Sequence, residues 1–291
     1  MQTAKQKLKR AAPWLFLLLV LAGLAAVRGL AANYEIGYEI MNGDFQNYNP
    51  VRHLLAGQVP YRDFTVYLGA GELYSVGGLL LVLGNSFGRS MFATNFCTWF
   101  YFELLVLAVC LVVIGTARAA RAAALALCSV FFAYVQGANL PFAGQVNTLL
   151  SYAAANGNSA RMMRSAALTL AVLVILLGLH FWQQDTSRRL LAPAVLVPFA
   201  AGFFVPWSND MGGAAYISIA LGYGLYLIRL YRSSIGKIVV QTLRYIVASV
   251  VGLGVSVLLI SCGHPLAWLR QTRGTSAYQT WYYGNTLSDR V

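Results

Sequence analysis

Residues 91–116 read MFATNFCTWFYFELLVLAVCLVVIGT, an apolar run carrying one charged side chain, Glu103. About 20 apolar residues in a helix span the ~30 Å hydrocarbon core of a bilayer. Runs of the same character recur at 12–32, 121–136, 165–182, 190–207, 214–228 and 245–262. Their repetition predicts an all-α fold, a polytopic transmembrane helix bundle.

Composition agrees. The chain has 291 residues, 58% hydrophobic and 10% charged, whereas soluble domains run at about 45–50% apolar and about 25% charged. The net charge of +12 raises the question of nucleic acid. The basic residues answer it, because they fall in small clusters between apolar runs: Lys5, Lys7, Lys9 and Arg10; Arg118 and Arg121; Arg188 and Arg189; Arg229, Arg232, Lys237 and Arg244. That pattern belongs to cytoplasmic loops of membrane proteins. No basic stripe with interleaved aromatics appears outside the spans, so no nucleic-acid partner is expected. Cys97, Cys110, Cys128 and Cys262 lie in or beside apolar segments without a CxxC pair, and read as small hydrophobes. The basic start followed by an apolar stretch resembles a signal peptide, but its length and the spans that follow favour an uncleaved first anchor.

Two segments are ambiguous. Residues 67–83 are apolar but glycine-rich, and residues 142–155 are short and carry Gln145, Asn147 and Ser151. If neither crosses, seven spans place every basic cluster above in the cytoplasm, with the N-terminus inside and the C-terminus outside. If both cross, there are nine, at the cost of placing Arg118 and Arg121 outside, with Arg161 and Arg164 inside. With seven, Glu35, Glu39, Asp44, Asp63, Glu72, Asp210 and Asp289 share the outer face and Asp185 alone lies inside. The chain then reads as one transmembrane domain over 1–291. Residues 33–90 form an external loop with an interfacial helix, and 263–291 an external C-terminal segment rich in aromatics. The expected location is a bacterial inner membrane.

The longest polar stretch, 33–71, packs four carboxylates, two arginines and a histidine where a plain connector needs few residues. Loops of that length are usually functional or disordered, and its aromatics argue against disorder. Asn42–Gly43–Asp44 is a turn signal, 51–56 a short amphipathic helix, and Pro60 with its neighbouring glycines keeps the rest irregular.

Gly43 and Asp44, then HLLAGQVPYRDF at 53–64, then Tyr67, Leu68 and Gly69, resemble the first external loop of the GT-C superfamily of polytopic glycosyltransferases. These are related to the protein mannosyltransferases and to the aminoarabinose and arabinosyl transferases. The resemblance covers about the first 140 residues of the sequence. It implies transfer of a sugar from a polyprenyl-phosphate donor on the outer membrane face, with 67–83 as a helix along the membrane. It places Asp44 at the position of the catalytic acid-base group, which in some members also helps hold a divalent metal. A base within hydrogen-bond reach of the acceptor is what the reaction needs, and cations suit the leaving lipid phosphate. Arg52, Arg62, Arg270 and Arg273 are candidates for that second task.

Each residue also has a plainer reading. Asp44 suits a helix cap, and Asp63 a structural partner of Arg62 or Arg52. Glu72 suits a helix N-terminus, and His53 a packing group. Asn209 and Asp210 either contact sugar hydroxyls or complete a tight turn. Asn139, Gln145 and Asn147 are sugar-binding amides or the polar face of a re-entrant helix. His180 reads as structural, His264 opens the last external segment, and Glu103 inside a span is either functional or paired. The expected partners are the lipid-linked sugar donor and membrane lipids. Two other functions compete: a transporter or flippase, and a non-catalytic subunit of a cell-envelope glycan assembly. Related enzymes carry more spans, so the chain reads as a shortened member or a fragment.

Overall fold

The computed structural model describes residues 4–34, 42–114, 118–134, 191–209 and 211–283. The expected span at 165–182, the segment 142–155, His180 and Asp210 lie outside the described residues. Among those described, the architecture is all-helical with no strand. The helices are α1 (Ala4–Tyr34), α2 (Asn42–Leu55), α3 (Ala70–Leu83), α4 (Phe87–Ile114), α5 (Ala119–Tyr134), α6 (Leu191–Phe203), α7 (Met211–Tyr231), α8 (Ile235–Ile260) and α9 (Pro265–Tyr283). A short 3-10 turn, Val205–Trp207, follows α6.

Among the described residues, three stretches are long and apolar enough to cross a membrane: Phe87–Leu111 in α4, and α7 and α8. They carry lipid-compatible surfaces, with Ile217, Leu221 and Leu225 on α7 and Val247, Val250 and Leu258 on α8 all exposed. Such a surface is costly in water and natural in a bilayer. α8 starts earlier than its apolar run suggests, because Lys237, Gln241 and Arg244 are good helix formers that extend it to the polar boundary. α3 is another matter. Its 14 residues rise about 21 Å at 1.5 Å each, short of a hydrocarbon core. α6, expected within a span, is described over 13 residues, and the 3-10 turn takes over after Phe204.

α1 and α4 run antiparallel: Gly29 lies against Phe92, while Leu17 and Leu21 join Leu107, Cys110 and, from α5, Ala122 and Ala126. α6 and α8 cross closely because Gly202 faces the Ser249 carbonyl and Gly252 the Phe199 carbonyl, with no room for a Cβ at either. Small residues at such crossings let backbones approach in a membrane. The largest core cluster gathers Val51 from α2, Tyr61 and Val66 from the loop, Leu73, Val76 and Leu80 from α3, Ala93 from α4 and Ile260 from α8. It ties the two helix groups together at one end.

Candidate functional site

That end is built on the loop between α2 and α3. α2 terminates in a Schellman motif: Gly57 adopts φ 80, its N–H donates to Leu54 O, and the Gln58 N–H donates to His53 O. Next comes a tight turn closed by hydrogen bonds from Tyr61 N–H to Phe64 O and from Asp63 N–H to Val59 O. Tyr61 sits there at φ 67, a left-handed conformation that a bulky residue adopts at a cost of about 1–3 kcal/mol. Burial of its ring in the main cluster holds it.

Asp63 organises the turn. Its Oδ2 accepts the Val59 N–H at 2.8 Å. Arg62 grips both carboxylate oxygens, Nε to Oδ1 at 2.8 Å and Nη2 to Oδ2 at 3.0 Å. The Arg62 hydrogen bond, with the Val59 N–H second, pulls the Asp63 carboxyl down to about 2. The same bond raises the guanidinium's own value. Arg62 Nη1 reaches His264 Nε2 at 3.3 Å, at the junction of α8 and α9. A guanidinium only donates, so the ring nitrogen accepts in this contact.

The second half of the loop is fastened from three sides. Asn209 Nδ2 donates to Val66 O (3.2 Å) and Tyr67 O (2.7 Å), and the Asn209 N–H to Leu68 O (3.2 Å). Gln271 Nε2, from α9, also donates to Val66 O (2.9 Å). Tyr74 hydroxyl donates to Ile260 O at the end of α8 (2.8 Å). Gly69, at φ 111, lies so close to Trp207 and Ser208 that a Cβ would stand 2.6 Å from the Trp207 carbonyl oxygen. Trp207 Nε1 in turn donates to Ser256 Oγ on α8 (3.1 Å). The result is a clamp joining the loop, the 205–209 turn and both ends of the α8–α9 junction.

The predicted residues divide accordingly. Arg62, Asp63 and Asn209 come together in the clamp, and His264 joins them. Asp63 holds the loop as the structural partner of Arg62, the plainer reading given for it, whereas Asn209 fastens the 66–68 backbone, a role neither of its expected readings described. Glu72 is buried in the first turn of α3, where the helix dipole suits an acid. Arg52 and Arg270 are exposed on α2 and α9, as is Arg273. His53 stacks on Phe64 and pairs with Gln58, the packing role expected. Glu103 is fully buried on α4. Asp44 lies in the first turn of α2, so the turn signal at 42–44 is a helix start instead. The Asp44 side chain, like Asp210, lies outside the described residues. Sequence reasoning missed Gln271 and Tyr74, and it quoted Gly69 within a motif without giving it the close contact with Trp207.

Among the described residues no three His, Cys, Asp or Glu side chains converge. Asp63 and His264 both face the same guanidinium, whose charge repels a second cation. Compared with protein-family models, curated proteins and solved structures, the chain matches none.

Proposed function

We propose that this chain is a membrane glycosyltransferase that moves a sugar from a polyprenyl-phosphate donor to an acceptor at the clamp end of the bundle. The observation that carries the reading is Arg62. It is half exposed, oriented by both oxygens of Asp63, and mounted on a loop pinned to the 205–209 turn, α8 and α9. A cation held in place before the reaction stabilises developing phosphate charge without reorganisation. Arg52 and Arg270 add exposed positive charge, and Asp44 serves as the base. In the transfer, Asp44 takes the acceptor's proton, the acceptor oxygen bonds to the anomeric carbon, and the phosphate leaves with the electron pair. Asn209, which resembles a sugar ligand in sequence, acts as a fastener of the loop. The reading includes seven spans, a cytoplasmic N-terminus and a bacterial inner membrane, with the clamp on the outer side.

The test is sugar transfer from radiolabelled polyprenyl-phosphate sugars in proteoliposomes. Asp44→Asn is expected to lower turnover by roughly 100-fold or more, the scale of a lost general base. Arg62→Ala is expected to lower it by roughly tenfold or more through the loss of one charge-assisted contact. Wild-type transfer left intact by Asp44→Asn would remove Asp44 as the base. Absence of transfer from every polyprenyl-phosphate sugar sinks the reading.

A further inference from the structure

We propose that the base of the α7–α8 hairpin binds the headgroup of an anionic phospholipid that carries a free hydroxyl. Tyr231, Gly236, Lys237, Val240 and Gln241 line a cavity of about 200 Å³ there. Lys237 Nζ stands 5.9 Å from the centre of the Tyr231 ring. Gln241 Oε1 is buried and accepts no hydrogen bond among the described residues. A buried carbonyl oxygen calls for a donor from beyond the described residues. A Cβ at Gly236 would meet nothing within 4 Å, so that wall is open.

Charge supplies the second argument. Arg229 on α7, Arg232 in the connecting turn and Arg244 on α8 are exposed. No Asp or Glu occurs anywhere from 211 to 288. The Arg62–Asp63 ion pair belongs to the clamp at the far ends of α7 and α8. The hairpin therefore concentrates cations with no carboxylate of its own. Depth supplies the third. The cavity lies where two helices of spanning length meet, which is headgroup level if they cross a bilayer. Ile235, Val239, Val240 and Leu243 are exposed around it, an apolar flank suited to acyl chains. Basic segments at this depth attract anionic lipids. A soluble anion would leave that apolar flank unused. The phosphate sits on Lys237 and Arg232, and the headgroup hydroxyl donates to Gln241 Oε1. The inference stands apart from the glycosyltransferase reading.

The experiment is native mass spectrometry of the full chain in detergent, titrated with phosphatidylglycerol, phosphatidylcholine and phosphatidylmethanol, the last having the charge without the headgroup hydroxyls. Phosphatidylglycerol is expected to be retained roughly fivefold or more over phosphatidylcholine. Lys237→Gln should remove most of that preference and Lys237→Arg keep it, while Arg118→Gln, in another basic cluster, leaves it unchanged. Gln241→Leu should erase the preference over phosphatidylmethanol alone. Equal retention of phosphatidylglycerol and phosphatidylcholine, or wild-type behaviour in Lys237→Gln, overturns the proposal. An unchanged preference over phosphatidylmethanol in Gln241→Leu overturns the hydroxyl contact. Displacement of phosphatidylglycerol by millimolar inorganic phosphate makes this a soluble-anion site and overturns the lipid assignment.

Discussion

Tyr61 combines a left-handed backbone with a buried ring whose hydroxyl finds no hydrogen bond among the described residues. Burial also raises its pKa, so the hydroxyl stays protonated. An unsatisfied buried hydroxyl costs about 1–3 kcal/mol. Tyr61→Phe is therefore expected to leave thermal stability in detergent unchanged or raise it; a clear fall in Tm would reveal a partner for the hydroxyl. Two residues on, Asp63 titrates the clamp. Its carboxyl is held at about 2 in the folded protein against an ordinary 3.8. A depressed carboxylate contributes stability that is present above the unfolded value and lost as pH falls through the folded one. Wild type should melt above Asp63→Asn at pH 5–8, and the two curves should converge between pH 4 and 2. The gap will be small, since an exposed pair is well screened by solvent. A gap that persists at pH 2 would assign the effect to packing. The Arg62–Asp63 pair was legible in sequence as adjacent opposite charges. Its link to His264 was not, because the two are far apart along the chain.

At the scale of elements, two glycines near α3 look alike in sequence and differ in structure. Gly69 has φ 111 and abuts the Trp207 carbonyl, whereas a Cβ on Gly78, inside α3, meets nothing within 4 Å. Gly69→Ala combines backbone strain with a backbone clash, and is expected to destabilise by about 2 kcal/mol or more. Gly78→Ala should instead stabilise by about 0.5–1 kcal/mol, the helix preference for alanine. Paired Tm measurements, with limited proteolysis of the 58–69 loop, check both. Equal effects of the two would mean that the loop does not rest on Trp207. Helix boundaries show the same division. The apolar runs located α4 and α7 well. The 42–44 turn signal failed because Asn and Asp serve helix starts as readily as turns. The expected short helix at 51–56 became the end of the longer α2.

For the molecule as a whole, helix direction makes a prediction about sides. α4 begins beside Gly29, and α7 begins at the 205–209 turn. Each runs from the clamp end toward a basic cluster, Arg118 and Arg121 for α4, Arg229 and Arg232 for α7. In a chain stripped of its other cysteines, Cys262, exposed beside the clamp, should react with an impermeant maleimide from the face opposite to a cysteine placed at 232. Labelling of both from one face would break the bundle reading. Which elements are apolar, where cations gather, and that lipid is the fitting solvent were determined by the sequence alone, because hydrophobic length and charge are properties of consecutive residues. The clamp was decided only in three dimensions. Asn209 and Gln271 meet Val66 through contacts that span 143 and 205 residues of the chain, and nothing local in either amide distinguishes a loop fastener from a sugar ligand. A hydrogen bond depends on where the fold brings its partner, and here it brought a backbone carbonyl.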